Sequence, residues 1–285
     1  MTVDHATQRS IFSLKSWLFT PGTKANRFQR AAEAGADALI IDLEDSVAPP
    51  SKGEARAAAI NYLGAAPEPA LAYALRINAL NTKAGLEDLQ ALLGSAAAPD
   101  YLVLPKCDSP GFVSLVDALL KEAGKSTRII VLVETVKGLA ALEEMASHPP
   151  IPAAFLFGAA DMAAGLGAKA EWEPLLMSRS HIVAAAALAG IAALDSPYFD
   201  LSNEPGLRLE TTRCAALGFH GKCAIHPEQI ATINEVFTPS EEELTWARRV
   251  IAASRQGAAR VDDQMVDEAI ARRARVLLAR AGVPA

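Results

Sequence analysis

The amino-acid sequence predicts a (β/α)₈ (TIM) barrel with a C-terminal helical extension, and three observations lead to this prediction. Short runs rich in Val, Ile, Leu and Phe recur at intervals of roughly 20 to 40 residues, each followed by a stretch with helical spacing. The runs are apolar throughout, which is typical of parallel strands that are buried on both faces. Eight such units favour a closed barrel over the alternative, an open doubly wound sheet. The glycine-rich motifs of nucleotide-binding open sheets, G-x-G-x-x-G and G-x-x-x-x-G-K-S/T, do not occur where such a sheet requires them.

The predicted elements alternate between strand and helix along the chain. The predicted strands span residues 17–19, 38–41, 72–75, 101–104, 129–133, 154–157, 191–194 and 223–225. The predicted helices span residues 26–34, 51–63, 111–123, 138–146, 175–189, 206–217 and 229–236. Several of the helices have Pro or Ser near the first turn, which is a common start signal. Such alternation implies parallel strands that are joined by crossover helices.

The pattern changes after Phe237, and we divide the chain into a barrel domain, 1–236, and a helical tail, 237–285. Ser240 and Glu243 have the spacing of a capping box, in which each side chain accepts a hydrogen bond from the other residue's backbone. A second tail helix is expected at about 263–280, with a hinge at 256–259 and no further strand. Such a tail packs either on its own barrel or on a neighbouring subunit.

Composition excludes several classes of protein. Of the 285 residues, 51% are hydrophobic and 21% are charged, which provides the apolar surface of a folded core. The formal charge of -6 supplies no basic field for binding nucleic acid or an anionic membrane. Cys107, Cys214 and Cys223 have neither disulfide-framework nor zinc-site spacing, and we expect reduced core residues. Because we find no signal-peptide pattern and no apolar run long enough to span a membrane, we expect a cytoplasmic protein.

Charged residues follow the predicted strands, where a barrel of this kind places its site. Six acids and three bases lie at these strand ends: Asp42, Glu44, Asp45, Glu134, Asp161 and Asp195, together with Arg76, Lys106 and His226. Burying a charge costs several kcal/mol unless the charge is paired or binds a metal. This set therefore predicts a bound cation and an anionic ligand.

Seven segments at these strand ends resemble one known family. They are LFTPG (18–22), DLEDSVAP (42–49), LRIN (75–78), LPK (104–106), VET (133–135), GAAD (158–161) and GKCAIHP (221–227). In order and spacing they are similar to the citrate lyase β-subunit-like family of the HpcH/HpaI aldolase/citrate lyase superfamily. Within it, they resemble the malyl-CoA and citramalyl-CoA lyases. The resemblance extends from about Lys15 to the end of the chain.

The resemblance implies a carbon–carbon lyase that depends on Mg²⁺, for which Mn²⁺ can substitute. Such an enzyme cleaves or forms a 3-hydroxyacyl-CoA thioester, such as malyl-CoA, β-methylmalyl-CoA or citramalyl-CoA, through a metal-stabilised enolate. A hard divalent cation suits this chemistry because it polarises the oxygen attached to the breaking bond. Glu134 and Asp161 correspond to the metal ligands. The alternatives are an ion pair of Glu134 with Arg76 or Lys106, and a helix cap for Asp161.

The resemblance also implies a set of substrate contacts. Arg76 corresponds to an arginine that binds a substrate carboxylate through its planar fork, and the alternative is a salt bridge to Glu44 or Asp45. Those two acids and Lys106 are expected to orient the metal-bound water without binding the metal directly, or to form a purely structural network. The other positions that match substrate contacts are Phe19, Lys24, Arg30, Ala160, Asp161, Ile225 and His226.

Three of those substrate positions have a simpler alternative. Lys24 replaces the arginine that is more usual there, so it keeps the charge but loses the bidentate fork. For Lys24 and Arg30 the alternative is a solvated helix face. For His226, which has no second metal-binding residue at ligand spacing, the alternative is a structural role.

Asp267 in the tail corresponds to a catalytic acid/base that malyl-CoA and citramalyl-CoA lyases deliver to the site of a neighbouring subunit. Condensation needs a base that takes a proton from the thioester methyl group, and cleavage needs an acid that returns it. This role implies a homo-oligomer, a trimer or a hexamer, in which the last helix acts as a lid. Glu268 and Ala269 follow where many relatives have Pro, and the alternative for Asp267 is a helix cap.

Three other functions stay open. One is a metal-dependent aldolase that acts on free 2-oxo acids, and another is a β-type component of a larger lyase complex with an acyl-carrier partner. The third is a Schiff-base aldolase built on Lys106. It is the weaker alternative, because nearby carboxylates would raise the lysine pKa instead of lowering it.

Overall fold

The computed structural model describes residues 10–65, 71–254, 259–262 and 264–281. Its centre is a closed barrel of eight parallel strands in sequential order, so the predicted (β/α)₈ fold is confirmed. The strands are β1 (Ser16–Pro21), β2 (Ala38–Asp42), β3 (Ala72–Arg76), β4 (Tyr101–Leu104), β5 (Arg128–Val133), β6 (Ala154–Phe157), β7 (Ala192–Asp195) and β8 (Gly221–Ala224). The barrel closes where β8 pairs with β1.

Helices follow the strands and cover the outside of the barrel. They are α1 (Phe28–Glu33), α2 (Lys52–Gly64), α3 (Lys83–Leu93), α4 (Pro110–Glu122), α5 (Val136–Ala140), α6 (Leu142–Ser147), α7 (Ala159–Leu166), α8 (Trp172–Ala189), α9 (Glu204–Leu217) and α10 (Gln229–Phe237). Each predicted barrel helix corresponds to an observed one, although 138–146 divides into α5 and α6. The helices α3 and α7 are additional.

Two apolar layers explain why the strands are apolar without alternation. Side chains alternate along a strand, so Trp17 and Leu132 belong to the cluster inside the barrel. Their neighbours Leu18 and Val131 belong to the cluster beneath the helices. None of the four is more than 3% exposed. Because both faces of each strand are buried, the sequence shows no period-two pattern.

The C-terminal tail packs around an apolar cluster of its own. It contains α11 (Glu241–Ser254), α12 (Glu268–Arg280) and an antiparallel ribbon of β9 (Ala259–Val261) and β10 (Gln264–Val266) between them. The prediction of no strand after residue 237 is therefore wrong, and the last helix begins at Glu268 instead of near residue 263. Strands of three residues are too short to show an alternating pattern.

The first helix of the tail begins at the capping box that the sequence predicts. The backbone N–H of Ser240 donates to Glu243 Oε2 at 2.8 Å, and the N–H of Glu243 donates to Ser240 Oγ at 3.2 Å, so the predicted capping box is confirmed. The predicted hinge at 256–259 lies outside the described residues, apart from Ala259 in β9.

The three cysteines are buried and free, as expected from their spacing. Burial raises the pKa of Cys107 to about 11, so this thiol stays protonated near neutral pH. In the described part of the chain, no helix has both the length and the apolar character needed to cross a membrane.

Candidate active site

A cavity of about 270 Å³ opens at the carboxyl end of the barrel, where the strands run into their following loops. Seven residues predicted for the site line this cavity: Phe19, Asp45, Arg76, Glu134, Ala160, Asp161 and Ile225. A larger cavity, about 550 Å³, lies at the opposite end of the barrel beside Arg128 and Ala153. Barrels of this type place their chemistry at the carboxyl end, so the smaller cavity is the candidate site.

Arg76 is held by Asp42, its neighbour on the adjacent strand. The two residues are paired across β2 and β3. Nε and Nη2 of Arg76 donate to the two carboxylate oxygens of Asp42, at 2.6 and 2.7 Å. The guanidinium also lies over the Phe19 ring, 4.9 Å from its centroid. The salt bridge to Glu44, one of the two alternatives for Arg76, is also present: Glu44 Oε2 lies 3.2 Å from Nη1, although without hydrogen-bond geometry.

Asp42 is a site residue to which the sequence reasoning assigned no individual role, although it directly follows a predicted strand. Its buried carboxylate also accepts the backbone N–H groups of Glu44 and Ser46, at 2.9 and 3.1 Å. Burial acts to raise the pKa of Asp42, but the contacts with Arg76 outweigh burial and lower it. Asp42 therefore stays ionised, and it fixes both Arg76 and the start of the loop that carries Glu44.

Lys106 brings four acidic side chains together. Its Nζ lies 2.5 Å from Glu44 Oε1, and 3.6 to 3.8 Å from carboxylate oxygens of Asp45, Glu134 and Asp161. Burial opposes the charge of this lysine, but the contacts with Glu44 and Glu134 raise the pKa of Lys106 above its usual value. A lysine that stays protonated is a poor nucleophile, which disfavours the Schiff-base alternative.

Glu134 is a buried carboxylate directly after β5. Burial, and then the negative charge of Glu44, raise the pKa of Glu134 to about 8. Gly158, which follows β6, leaves the space that this side chain occupies. A Cβ on Gly158 would lie 2.4 Å from Glu134 Cβ and 2.9 Å from its Oε2. The φ of Gly158 is -107°, so the position requires a small residue and not an unusual backbone.

The donor set of the site fits a hard divalent cation. Five acids surround two bases, so full ionisation leaves an excess of negative charge. Glu134 and Asp161 already share a cation, because both have an oxygen within 3.8 Å of Lys106 Nζ. The Oε2 of Glu44 is buried without a hydrogen-bond partner. Among the described residues no three acidic, histidine or cysteine side chains form a metal cage by themselves, but Mg²⁺ needs only one or two carboxylates besides water and substrate.

Six residues predicted for the site do not line the cavity: Glu44 and Lys106, which belong to the charged cluster beside it, and Lys24, Arg30, His226 and Asp267. Lys24 and Arg30 are exposed on the segment that follows β1, and neither forms an ion pair within the part of the chain that the structure describes. His226 is half-buried next to Ile225, with its Nδ1 3.5 Å from Glu228. Asp267 accepts the backbone N–H of Ile270 at 3.0 Å and so caps α12, far along the chain from the barrel.

Asp195 is not at the mouth of the barrel, contrary to the expectation for a strand-end acid. Leu194 points into the barrel, so alternation along β7 turns Asp195 towards α8 and α9. There its buried carboxylate accepts Lys222 Nζ at 2.5 Å and Arg179 Nε at 3.0 Å. Burial acts against ionisation, but Lys222 and Arg179 lower the pKa of Asp195 to about 2. The mouth therefore contains five of the six acids that were expected there, and Asp195 is the exception.

The apolar side of the cavity contains residues that the sequence reasoning missed. Pro197 and Phe199, in the loop after β7, line it together with Ile225. Single apolar residues in a loop have no periodicity, so the sequence contains no signal that marks them.

Comparisons with known proteins agree on one family. The family model described as HpcH/HpaI aldolase/citrate lyase matches residues 15–227, and one described as C-C bond lyase of the TIM-barrel fold matches residues 176–283. The chain is 35% identical to the L-malyl-CoA/beta-methylmalyl-CoA lyase of Cereibacter sphaeroides, over 93% of each protein. It is 38% identical to the citrate lyase subunit beta-like protein of Mycobacterium tuberculosis, over 93% of this chain and 95% of that one. The crystal structure of CitE from Mycobacterium tuberculosis in complex with magnesium, acetoacetate and coenzyme A matches 94% of this chain and 98% of its own, with a TM-score of 0.78 and 37% identity.

Proposed function

Since the chain belongs to the HpcH/HpaI aldolase/citrate lyase family of carbon–carbon lyases, we propose that it cleaves or forms a 3-hydroxyacyl-CoA thioester with the help of Mg²⁺. Two relatives support this substrate class. One is named as a lyase for L-malyl-CoA and β-methylmalyl-CoA, and the other is a crystal structure that contains magnesium and coenzyme A. Malyl-CoA, β-methylmalyl-CoA and citramalyl-CoA are the candidate substrates.

The observation that carries this proposal is the placement of two carboxylates and one guanidinium on the wall of one cavity. Glu134 and Asp161 would hold the divalent cation, as they now share the ammonium group of Lys106. When bound, the cation supplies Lewis-acid polarisation of a substrate oxygen. Mg²⁺ is the expected ion, and Mn²⁺ is expected to substitute because it also prefers oxygen ligands.

Arg76 would bind the substrate carboxylate. Asp42 occupies the Nε edge of the guanidinium, which leaves one N–H on each Nη to form a second fork. Asp42 on one side and the Phe19 ring on the other prevent the guanidinium from swinging away. The carboxylate is therefore positioned in a fixed orientation next to Glu134 and Asp161.

We assign proton transfer to Asp267 of a neighbouring subunit. The mouth acids of the chain are engaged with Arg76 and Lys106, and Asp267 does not line the cavity of its own chain. The tail that carries Asp267 has its own apolar cluster, in which α11 and α12 pack on each other, so it can extend away from its barrel. In this arrangement the protein is a homo-oligomer, a trimer or a hexamer, and residues 237–285 form a lid on the neighbouring barrel.

The phosphate-bearing end of coenzyme A would contact Lys24 and Arg30. Both cations are exposed, and no acidic side chain neutralises them in the described ranges, so they are available to an anionic ligand. Ala160 and Ile225 line the cavity, and His226 follows Ile225 in the chain. These three would contact the rest of the thioester.

A substrate screen with the isolated protein tests the proposal. Malyl-CoA, β-methylmalyl-CoA, citramalyl-CoA and 3-hydroxy-3-methylglutaryl-CoA are incubated with Mg²⁺, and release of glyoxylate, pyruvate or acetoacetate is measured. Release from a CoA thioester, lost in excess EDTA and restored by Mg²⁺ or Mn²⁺, is the expected result. Turnover of free 2-oxo acids alone would support the aldolase alternative instead, and activity only with an acyl-carrier partner would support the complex component. Full activity in excess EDTA would contradict the metal assignment.

A further inference from the structure

The apolar wall of the cavity is built from two loops. Pro197 and Phe199 lie in the loop between β7 and α9, and Ile225 lies in the turn between β8 and α10. Phe199 is 54% exposed and Ile225 is 37% exposed, so neither is held by packing in the core. The distance between these side chains depends on how the two loops are fastened.

Gln229, on the first turn of α10, binds both loops at once. Its Oε1 accepts the backbone N–H groups of Ile225 and His226, at 2.9 and 3.3 Å. Its Nε2 donates to the backbone carbonyl of Tyr198 at 2.7 Å. The side chain is only 5% exposed, so water competes little for these bonds. One buried amide therefore connects the β7–α9 loop to the β8–α10 turn.

Lys222 fastens the β7–α9 loop at a second point. Its fully buried Nζ donates to the backbone carbonyl of Ser196 at 2.8 Å, and also to Asp195 and Glu210. Pro197 therefore lies between two anchored carbonyl groups, those of Ser196 and Tyr198. Lys222 bonds the β7–α9 loop and two acids, whereas Gln229 bonds both the β7–α9 loop and the β8–α10 turn.

We propose that Gln229 is a positioning residue that sets the spacing between Phe199 and Ile225, and thereby selects the acyl group of the substrate. The inference rests on the proposed thioester function. The charged side of the cavity, formed by Arg76, Glu134 and Asp161, accepts the polar groups of the substrate. The apolar wall faces the remaining carbons, so it contacts small alkyl substituents of the acyl chain. Gln229 acts through Phe199 and Ile225 and does not touch the substrate.

Three variants separate this role from a general loss of stability. Gln229→Leu removes all three hydrogen bonds, and Gln229→Glu keeps the acceptor for Ile225 and His226 but loses the donor to Tyr198. Thr232→Val is the matched control, because Thr232 lies on the same helix and is also buried. Its hydroxyl bonds Glu204 on α9, at 3.0 Å, and contacts neither loop.

The kinetic readout compares malyl-CoA with β-methylmalyl-CoA, which differ by one methyl group. Gln229→Leu is expected to raise KM about tenfold and to change the preference between these two substrates by about tenfold, the lower end of the effect of one methyl group in an apolar pocket. Its kcat should change much less, since the metal ligands and Arg76 are untouched. Gln229→Glu should show a smaller effect in the same direction, and Thr232→Val should match the wild type. An unchanged KM and preference in Gln229→Leu would overturn the proposal.

Amide hydrogen exchange tests the anchor without any substrate. Exchange at the amides of Ile225 and His226 should accelerate about tenfold or more in Gln229→Leu, because their acceptor is lost, and should be unchanged in Thr232→Val. Unchanged exchange in Gln229→Leu would overturn the proposal as well. If the wild type turns over no thioester, the proposed function fails and the acyl-group assignment fails with it. The exchange rates then still decide whether Gln229 fastens the two loops.

Discussion

The backbone N–H of Lys106 donates a 2.8 Å hydrogen bond to Oε1 of Glu134, and the Nζ of the same lysine lies 3.8 Å from that oxygen. One residue thus contacts one carboxylate with both its main chain and its side chain. Lys106 has a φ of 50°, which is uncommon for a residue with a side chain and makes the double contact possible. The N–H positions Glu134, while the ammonium group favours its ionised form. A substitution of the side chain can separate the two effects.

Lys106→Met should make the metal-free protein less stable and should tighten Mg²⁺ binding. The variant keeps the N–H but removes the cation that Glu134 and Asp161 share. Because Lys106 is partly exposed, solvent screens the interaction to about 1 kcal/mol, which corresponds to about fivefold in affinity. Titration calorimetry with Mg²⁺ at about pH 9, above the pKa of Glu134, and urea unfolding in EDTA measure the two effects. Lys137→Met is the control, because the ion pair of Lys137 is with Asp108 and not with the acids that surround Lys106. Weaker Mg²⁺ binding in Lys106→Met would contradict the expectation.

Mg²⁺ affinity should rise with pH up to about 8 and then level off. Folding raises the pKa of Glu134 from 4.5 to about 8, so the metal-free protein holds a proton that the unfolded chain releases. That proton favours the folded state below pH 4.5, and the contribution is lost as the pH rises to about 8. Mg²⁺ must displace the same proton, so its affinity should fall about tenfold for each pH unit below the pKa. Calorimetry in two buffers of different ionisation enthalpy counts the released protons. A pH-independent affinity over roughly the two pH units below the pKa of Glu134, which is about 8, would show that Glu134 is not a ligand.

Gly158→Ala should displace Glu134 and weaken Mg²⁺ binding. The added methyl would meet Glu134 Cβ at 2.4 Å, and overpacking of this kind typically costs about 1 to 3 kcal/mol. Gly53→Ala is the matched control, since a Cβ at Gly53 meets no atom within 4 Å. Urea unfolding and Mg²⁺ titration should show losses for Gly158→Ala only. Equal behaviour of the two variants would refute the steric requirement at Gly158.

Arg76→Met should destabilise the fold as well as abolish turnover. It leaves the buried carboxylate of Asp42 without its cation, which typically costs about 3 kcal/mol. Arg76→Lys retains a charge but cannot reproduce the two parallel hydrogen bonds, so it should lose turnover by about 10²-fold. The double variant Arg76→Met with Asp42→Asn should recover part of the stability in urea unfolding. No recovery would mean that the pair is not the source of the loss.

Asp267→Asn should lose turnover by about 10²-fold while it keeps its fold, the usual scale for a lost acid/base. Asparagine caps a helix as well as aspartate does, so the bond to the N–H of Ile270 survives the change. Mg²⁺ binding and thermal unfolding should match the wild type. Near-wild-type turnover would end the proton-transfer assignment.

Mixing Asp267→Asn with Glu134→Ala should restore part of the activity. Mixed oligomers can combine an intact metal site of one chain with the intact Asp267 of another. Light scattering gives the oligomeric state, and subunit exchange is followed with differently tagged chains. A monomer in solution, or no rescue despite exchange of subunits, would refute delivery of Asp267 between subunits.

The sequence predicted the barrel correctly because its signals are local. Eight apolar runs without alternation report burial on both faces of each strand, and the Ser240 and Glu243 spacing reports a helix start. The strand-end acids Glu134 and Asp161 were recognisable in the same way, since residues at the carboxyl ends of parallel strands converge. The ribbon of β9 and β10 was not predicted, because strands of three residues are too short to show an alternating pattern.

The sequence by itself determined the fold, through its apolar runs, and the residue types that follow each strand. Those residues give the barrel its charged mouth. Tertiary structure decided which of these residues meet. Asp42 became the partner of Arg76 because the register of β2 and β3 places them side by side. Asp195 is absent from the mouth because side-chain alternation along β7 directs it towards the helices, where Lys222 and Arg179 compensate its charge. Gln229 acquired a role through contacts with two loops that only the closed barrel brings together. Register, side-chain direction and loop contacts depend on residues far apart in the chain, and a local pattern contains no information about such pairs.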